Sequence, residues 1–435
     1  MMTEKINIFW FRRDLRLKDN HGLFEALKRG SKVLPIFIFD TEILNQLEDK
    51  SDKRLDFIVQ ALQLLNEYLS KQGKSIKILF GIPLEIFKEL VYEYAVESFY
   101  CNEDYEPYAI KRDEEIRQFL KEKGIKFYSC KDQVIFQKDE ILKADGTPYT
   151  VYTPYSKQWL LRFTTEQIKS FPSENYLEQL VGFQQDKISI EALGFQKTDY
   201  TFSAPEVDSK ILEHYGETRN FPFLETSKMG VHLRFGTVSV RKLVAKAVAL
   251  PDAVYLKELI WREFFMQILY HFPRVVNSAF KAQYDEIKWL NNEDDFEKWK
   301  TGNTGFPMVD AGMRELNATG FMHNRVRMVC ASFLTKHLLI DWRIGEAYFA
   351  QKLMDFDLSA NNGNWQWSAG SGCDAAPYFR IFNPMEQQKK FDPNFTYTKK
   401  WIPELNTNRY AKPMVDHTFA RNRALEVYGN AMKSK

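Results

Sequence analysis

The stretch GFMHNRVRM occupies residues 320–328, and it is followed by DWR at 341–343, DFD at 355–357 and NNGNWQW at 361–367. These segments have helical patterns, yet they place charged groups, amides and tryptophans at core-like positions. Burying such groups without partners costs free energy, so an ordinary packed core would not select them. We therefore expect a polar and aromatic ligand between these segments, and a large planar cofactor is the natural candidate.

The composition limits the class of protein. The 435 residues are too many for one small core and predict two or three domains. Hydrophobic residues at 44% and charged residues at 27% are ordinary for a soluble globular protein. The four cysteines have no paired spacing, so the sequence predicts neither a disulfide framework nor a metal site. A net charge of +2 neither supports nor excludes a nucleic-acid partner.

The sequence also bears on localisation. No apolar run approaches the roughly 20 residues that cross a membrane, and the first residues lack the apolar region of a signal peptide. Unpaired cysteines fit a reducing compartment. We therefore predict a cytoplasmic protein.

The first third of the chain alternates short apolar runs with amphipathic stretches. Buried strands are predicted at residues 6–11, 32–39, 75–80, 97–101 and 125–129, with helical patterns between them. That order favours a parallel sheet covered by helices, although no G-x-G-x-x-G or Walker loop is present. Polar residues then dominate, and helical patterns follow them. The predicted organisation is an α/β domain at 1–130, an interdomain linker at 131–200 and a helical domain at 201–435.

Two helical faces carry chemistry. Glu258, Trp261 and Arg262 are spaced three and four residues apart, so they share one face of a helix. Alone, this pattern also fits a surface ion pair beside a core tryptophan. A second helix repeats the spacing at Asn324, Arg327 and Met328. If the two faces meet, they can enclose a cavity that contains an acid, an amide and stacking surfaces.

Other polar and aromatic residues allow two interpretations. Asp355 could pair with the arginine of the second face, and Asp357 could accept a hydrogen bond from a ligand, but either could also be a solvated helix end. Trp365 and Trp367 point to different sides of a helix, so one can face the interior and the other an opening. TSKMG at 226–230 places hydroxyl groups before an amphipathic segment, which suits a phosphate, although ordinary helix N-caps look the same.

Three long segments carry a resemblance to a known family. FWFRRDLRLKDN at 9–20, ELIWREFF at 258–265 and the region 304–384 resemble the photolyase/cryptochrome family, in the same order along the chain. Nearly the whole chain takes part. The resemblance implies an N-terminal Rossmann-like parallel-sheet α/β domain, a long linker and a C-terminal helical domain that binds FAD.

The resemblance also assigns residues to the cofactor. The positions that match contacts to the FAD phosphates and sugar are Tyr215, Thr226, Ser227, Lys228, Met229 and Gly230. The positions that match contacts to the rest of FAD are Arg262, Asn324, Arg327, Asp355, Asp357 and Asn361, with Asn361 near flavin N5. Trp365, Trp342 and Trp289 match an electron-transfer chain from the flavin to the surface, and core packing is the alternative for them.

Within the family, the substrate side resembles that of cyclobutane pyrimidine dimer photolyases. The resemblance implies catalytic roles for Glu258, Asn324, Met328 and Asn361. It implies contacts to DNA from Glu258, Trp261, Arg325, Met328, Trp367 and Lys399. A (6-4) photolyase is expected to have His in place of Asn324, and DASH-type cryptochromes typically lose the tryptophan that stands at Trp367.

The function that the resemblance implies is light-driven repair of cyclobutane pyrimidine dimers in UV-damaged DNA. An electron would pass from excited reduced FAD to a flipped-out dimer, in a monomeric enzyme. The alternative within the family is a cryptochrome-type blue-light receptor. A nucleic-acid-binding protein without catalysis is a further alternative. It would not explain why Arg327, Asp355 and Asn361 occupy their positions in the helical region.

A second, antenna chromophore is compatible with the segment 102–108. Tyr108 and Ala109 replace the Asn-Glu pair that is associated with folate-binding members of the family. A deazaflavin, FMN or no antenna therefore stay open at this point.

Overall fold

The computed structural model describes residues 5–433, and the chain forms two compact units. Unit 1 contains the chain up to Ile141 together with Trp159–Val207 and Lys228–Leu250. Unit 2 contains Leu142–Gln158, Asp208–Ser227 and the chain from Pro251 onward. The domain boundaries at residues 130 and 200 stay a prediction.

Unit 1 is built on a five-stranded parallel sheet in the order β3-β2-β1-β4-β5. The strands are β1 (Ile6–Phe11), β2 (Lys32–Asp40), β3 (Lys77–Gly81), β4 (Val96–Asn102) and β5 (Lys126–Cys130). Each strand begins and ends within two residues of a strand predicted from the sequence. β1 and β2 are buried along almost their whole length, as expected for central strands of a sheet covered on both faces. The predicted fold class, a parallel α/β domain followed by a helical domain, is confirmed.

Helices make up most of the remaining structure. The α-helices associated with the first half of the chain are α1 (His21–Leu27), α2 (Thr41–Leu44), α3 (Lys53–Ser70), α4 (Pro83–Glu93), α5 (Pro107–Glu122), α6 (Tyr152–Arg162), α7 (Ser209–Glu213) and α8 (Tyr215–Thr218). Those that follow are α9 (Met229–Phe235), α10 (Val240–Val248), α11 (Val254–His271), α12 (Glu293–Thr301), α13 (Pro307–Thr319), α14 (Asn324–Ser332), α15 (Trp342–Lys352), α16 (Leu358–Ala369), α17 (Pro384–Phe391), α18 (Thr396–Trp401) and α19 (His417–Lys433). No helix within residues 5–433 combines the length and apolar character needed to cross a membrane.

A large apolar cluster formed by residues of α12 to α18 lies in unit 2, residues of α19 belong to a second, smaller cluster, and α11 and α14 both lie against α16. Two glycines permit the close approach of α11 and α15 to α16. A Cβ atom at Gly363 of α16 would overlap the ring of Phe265 on α11, and a Cβ atom at Gly345 of α15 would overlap the ring of Trp365 on α16. The sequence NNGNWQW therefore forms a helix that neighbouring helices can approach closely on two sides.

A buried ionic cluster lies at one end of the sheet in unit 1. Asp132, which follows β5, accepts hydrogen bonds from Arg16 (Nη2 to Oδ2, 2.6 Å) and from Arg241 on α10 (Nη2 to Oδ1, 2.8 Å). All three side chains are buried. Burial alone would raise the pKa of Asp132, but the two guanidinium groups outweigh that effect and hold its pKa below the usual value. Since buried charges are costly without partners, unit 1 is sensitive to substitution here.

We predict that Asp132→Asn lowers the free energy of unfolding by about 3 kcal/mol, because the buried Arg16 loses the carboxylate it pairs with and Arg241 keeps only Asp19. The pKa of Asp132 is depressed in the folded state, so its contribution is present above about pH 4 and is lost as the pH falls through the depressed value. Chemical denaturation at neutral and acidic pH measures both effects. Asp199→Asn, which removes an exposed partner of Lys53, is the control and should leave the unfolding midpoint unchanged. An equal unfolding free energy for Asp132→Asn and the wild type would refute the prediction.

Candidate active site

A cavity of about 500 Å³ lies among α11, α14 and α16 of unit 2. Its volume is within the range of small-molecule sites. Of the residues selected from the sequence, those that line it are Tyr215, Glu258, Trp261, Arg262, Asn324, Arg325, Arg327, Met328, Asp355, Asp357, Asn361, Trp365 and Trp367. The two helical faces predicted from the sequence therefore meet at one cavity, and the segment DFD forms another part of its wall.

α11 presents Glu258, Trp261 and Arg262 to the cavity, as their spacing along the helix requires. The Glu258 carboxylate accepts a hydrogen bond from the guanidinium group of Arg219. Burial raises the pKa of Glu258, and the positive charge of Arg219 opposes that rise. A carboxyl group offers hydrogen-bond acceptors when ionised and also a donor when protonated, so Glu258 is a polar anchor for a ligand.

α14 begins at Asn324 because the His323 side chain caps the helix, accepting the backbone N–H of Arg325 at 3.1 Å. This start places Asn324 and Arg327 on the cavity side of α14. Arg327 donates from Nη2 to Oδ2 of Asp355 at 2.9 Å. The ion pair links α14 to the segment that precedes α16.

Asp357 and Asn361 lie at the start of α16, and both line the cavity. Asp357 caps the helix, because its Oδ1 accepts the backbone N–H groups of Ser359 at 3.1 Å and Ala360 at 3.2 Å. The Asn361 amide donates from Nδ2 to the backbone oxygen of Glu346 at 3.1 Å and to its Oε1 at 2.7 Å. Both amide hydrogens are thus engaged, and the amide oxygen of Asn361 is the group available to a ligand.

One carboxylate oxygen in the cavity wall lacks a protein partner. Oδ1 of Asp355 is buried and forms no hydrogen bond with any residue that the structure describes. A buried acceptor without a donor costs free energy, so a donor from a bound ligand is expected here. The flavin ring of FAD combines N–H groups with broad planar faces. Its N–H groups match Oδ1 of Asp355 and the amide oxygen of Asn361, and its faces match the aromatic walls of the cavity.

The tryptophans divide between the cavity wall and the core. Trp261, Trp365 and Trp367 all line the cavity; Trp261 and Trp367 are half-buried, and Trp365 is buried against Phe349 at a ring-centroid distance of 4.9 Å. Trp342 is buried and Trp289 is half-buried; these two side chains do not line the cavity. The electron-transfer role of Trp365, Trp342 and Trp289 stays a prediction.

Several predicted contact residues lie outside the cavity wall. Thr226 and Ser227 belong to unit 2 but do not line the cavity, and residues 228–230 belong to unit 1. Lys228 has a φ of 51° and directly precedes α9. Lys399 is an exposed residue of α18. The assignment of these residues to FAD or to DNA stays a prediction.

Two polar residues of the cavity wall, Arg219 and Asn220, have no signal in the sequence, because they lie in an irregular segment after α8 without periodicity. Asn220 Oδ1 accepts a hydrogen bond from Nη2 of Arg325 at 2.7 Å. Burial lowers the pKa of Arg325, and the positive charges of Arg219 and Arg380 lower it further. Guanidinium groups therefore crowd one side of the cavity, which suits an anionic ligand such as a nucleic-acid phosphate.

Comparisons with known proteins identify the family of the chain. Residues 7–174 match the family model described as DNA photolyase, and residues 255–409 match the one described as FAD binding domain of DNA photolyase. A deoxyribodipyrimidine photo-lyase of Synechococcus sp. is 38% identical over 431 residues, which cover 92% of this chain and 88% of the relative.

Two solved structures extend the similarity to the fold. A bacterial class III photolyase from Agrobacterium tumefaciens has a TM-score of 0.88 at 30% identity, with 100% of this chain and 99% of that chain covered. An archaeal photolyase from Sulfolobus tokodaii, solved with two FAD molecules, has a TM-score of 0.83 at 32% identity, with 98% and 99% covered.

We predict that Asp355→Ala weakens FAD binding about tenfold, because it removes an acceptor from the cavity and leaves Arg327 without its counter-charge. Asp355→Asn, which keeps an acceptor oxygen, should have a smaller effect. Titration of the apoprotein with FAD measures the affinity, and flavin absorbance after gel filtration gives the retained fraction. Asp294→Ala, at an exposed position in the first turn of α12, is the control. Unchanged FAD affinity in Asp355→Ala would remove Asp355 from the cofactor site.

Proposed function

Since the chain belongs to the DNA photolyase family, we propose that it is a deoxyribodipyrimidine photo-lyase, an FAD-dependent enzyme that uses light to split cyclobutane pyrimidine dimers in UV-damaged DNA. One observation supports this function above the others. A single cavity brings together an acid, two half-buried tryptophans and an ion pair with an unsatisfied acceptor, in a chain that is 38% identical to such an enzyme.

The substrate side of the cavity is formed by Trp261, Trp367 and Glu258. A base dimer within a duplex is inaccessible, so it must leave the base stack, at a cost of a few kcal/mol. Stacking on Trp261 and Trp367 offsets this cost by roughly 1–3 kcal/mol for each base. Both indoles line the cavity and keep part of their surface exposed, as such contacts require.

Glu258 is the hydrogen-bond donor to the dimer. A protonated carboxyl group donates from its O–H to a pyrimidine carbonyl oxygen, and burial, which raises the pKa of Glu258, lowers the cost of placing that proton. The hydrogen bond stabilises negative charge as it develops on that oxygen. Arg219, which contacts the Glu258 carboxylate, can turn to a DNA phosphate when the carboxyl group is protonated.

The cofactor side is formed by Arg327, Asp355 and Asn361. Asp355 Oδ1 and the Asn361 amide oxygen would accept hydrogen bonds from ring N–H groups of FAD, and the ion pair with Arg327 fixes the position of Asp355. When bound, FAD supplies the light-driven electron transfer that opens the cyclobutane ring. Trp365, Trp342 and Trp289 would carry electrons between the surface and bound FAD.

Arg325 and Lys399 bind the phosphates that flank the dimer, so affinity for DNA should fall steeply with salt. The enzyme works as a monomer in the cytoplasm. A second chromophore, as in the archaeal relative solved with two FAD molecules, can accompany the first, and mass spectrometry of the released chromophores identifies it.

We predict that the FAD-loaded, reduced protein restores thymines in a duplex that contains one thymine dimer, under blue light and not in the dark. Chromatography of the digested oligonucleotide measures the loss of dimers. The same protein freed of FAD is the control and should be inactive in light. Absence of light-dependent repair by the loaded protein would contradict the enzymatic function and leave a light receptor.

We predict that Glu258→Ala lowers the repair yield per absorbed photon about tenfold while dimer binding changes less than about threefold, because a hydrogen bond to the developing charge is lost. Glu258→Gln retains a neutral donor of similar size and should retain most of the yield. Single-turnover repair under calibrated illumination gives the yield, and fluorescence anisotropy gives the binding. If Glu258→Ala repairs as well as the wild type, Glu258 has no role in the reaction.

A further inference from the structure

Tyr152 stacks on Trp261 from behind the cavity wall. Their ring centroids are 3.7 Å apart, and the ring planes differ by 7°. Trp261 lines the cavity and Tyr152 does not. Tyr152 therefore covers the face of the indole that is turned away from the cavity, and the opposite face stays available to a ligand.

Two hydrogen bonds fix the position of Tyr152. Its hydroxyl group donates to the backbone oxygen of Lys257 at 2.9 Å, one turn before Trp261 on α11. Its backbone N–H donates to Oδ2 of Asp374 at 2.9 Å. Burial raises the pKa of Tyr152, so the hydroxyl stays protonated and remains a donor.

Two further aromatic rings support the pair. Phe264 meets Trp261 edge-on at 5.6 Å and Tyr152 edge-on at 5.9 Å, and Phe265 lies 5.4 Å from Trp261. Phe264 and Phe265 are carried by α11 itself, as Trp261 is. Tyr152 lies more than a hundred residues from Trp261 in the sequence. Its ring therefore restrains the indole from outside α11, independently of the contacts that α11 makes with itself.

We infer that Tyr152 is a positioning residue for lesion recognition, holding the Trp261 indole in the orientation that stacks on a flipped-out pyrimidine dimer. The inference rests on the proposed function, because it requires Trp261 to contact the dimer. An indole that is free to rotate loses conformational entropy when a base stacks on it. An indole already stacked on Tyr152 has lost that freedom before the substrate arrives, so binding is tighter.

A role in core packing alone would have different consequences. Loss of packing lowers the stability of unit 2 and its flavin content, and it affects damaged and undamaged DNA alike. Loss of a positioning role lowers the affinity for DNA that contains a dimer and spares the affinity for undamaged DNA, because only the flipped-out dimer contacts Trp261 in the cavity. The ratio of affinities for damaged and undamaged DNA therefore separates the two roles.

The test uses the FAD-loaded full-length protein and a duplex with or without one thymine dimer. Tyr152→Leu removes the stacking ring and should weaken binding to the dimer duplex on the order of tenfold, with undamaged-DNA binding and flavin content unchanged. Tyr152→Phe retains the ring and should restore dimer binding to within about threefold of the wild type. Tyr149→Leu, in the same stretch of chain with its ring against Tyr155, is the matched control and should retain the wild-type ratio.

Trp261→Ala completes a double-mutant cycle with Tyr152→Leu. In the absence of the indole, Tyr152→Leu should cause no further loss of dimer binding, because there is no ring to orient. An equal loss in both backgrounds, or no loss in the presence of Trp261, would overturn the inference. If Trp261→Ala alone leaves dimer binding unchanged, Trp261 does not contact the dimer. That result would refute this part of the proposed function, and the role of Tyr152 would be refuted with it. Tyr152→Met replaces Tyr152→Leu in the cycle if leucine lowers the flavin content.

Discussion

The ion pair between Arg327 and Asp355 is the interaction on which the site depends. It joins α14 to the segment before α16, and these two parts of the chain form much of the cavity wall. Each charge would be costly in the wall without the other. Because the pair engages one oxygen of Asp355 and leaves the other unsatisfied, it stabilises the protein and presents an acceptor to a ligand at once.

The same arrangement recurs around the cavity. Asn361 commits its amide hydrogens to Glu346 and leaves its oxygen, and Trp261 commits one face to Tyr152 and leaves the other. The protein thus supplies one partner to each group, which fixes its orientation and leaves a second position for a ligand. Such preorganisation reduces the entropy that binding would otherwise cost. It also explains why polar and aromatic residues occupy positions that a plain helical core would give to aliphatic ones.

Local patterns in the sequence predicted the strands and the helical faces, because both follow from the spacing of side chains along one element. That is why Glu258 and Trp261 were identifiable on one helix, and Asn324 and Arg327 on another. Spacing cannot reveal contacts between distant segments. Arg219 reaches Glu258 from an irregular segment, and Tyr152 reaches Trp261 from far along the chain, so neither contact has a local pattern. The family resemblance supplied the cofactor and the reaction, which no pattern of spacing contains.

A crystal structure of the FAD-loaded protein with a duplex that contains a thymine dimer tests the central claim most directly. We expect the dimer to lie outside the base stack, within the cavity, in contact with Trp261 and Trp367 and within hydrogen-bond distance of Glu258. The flavin ring should contact Asp355 and Asn361 in the same cavity. A dimer that remains stacked in the duplex, or that binds away from these tryptophans, would contradict the assignment of this cavity to repair.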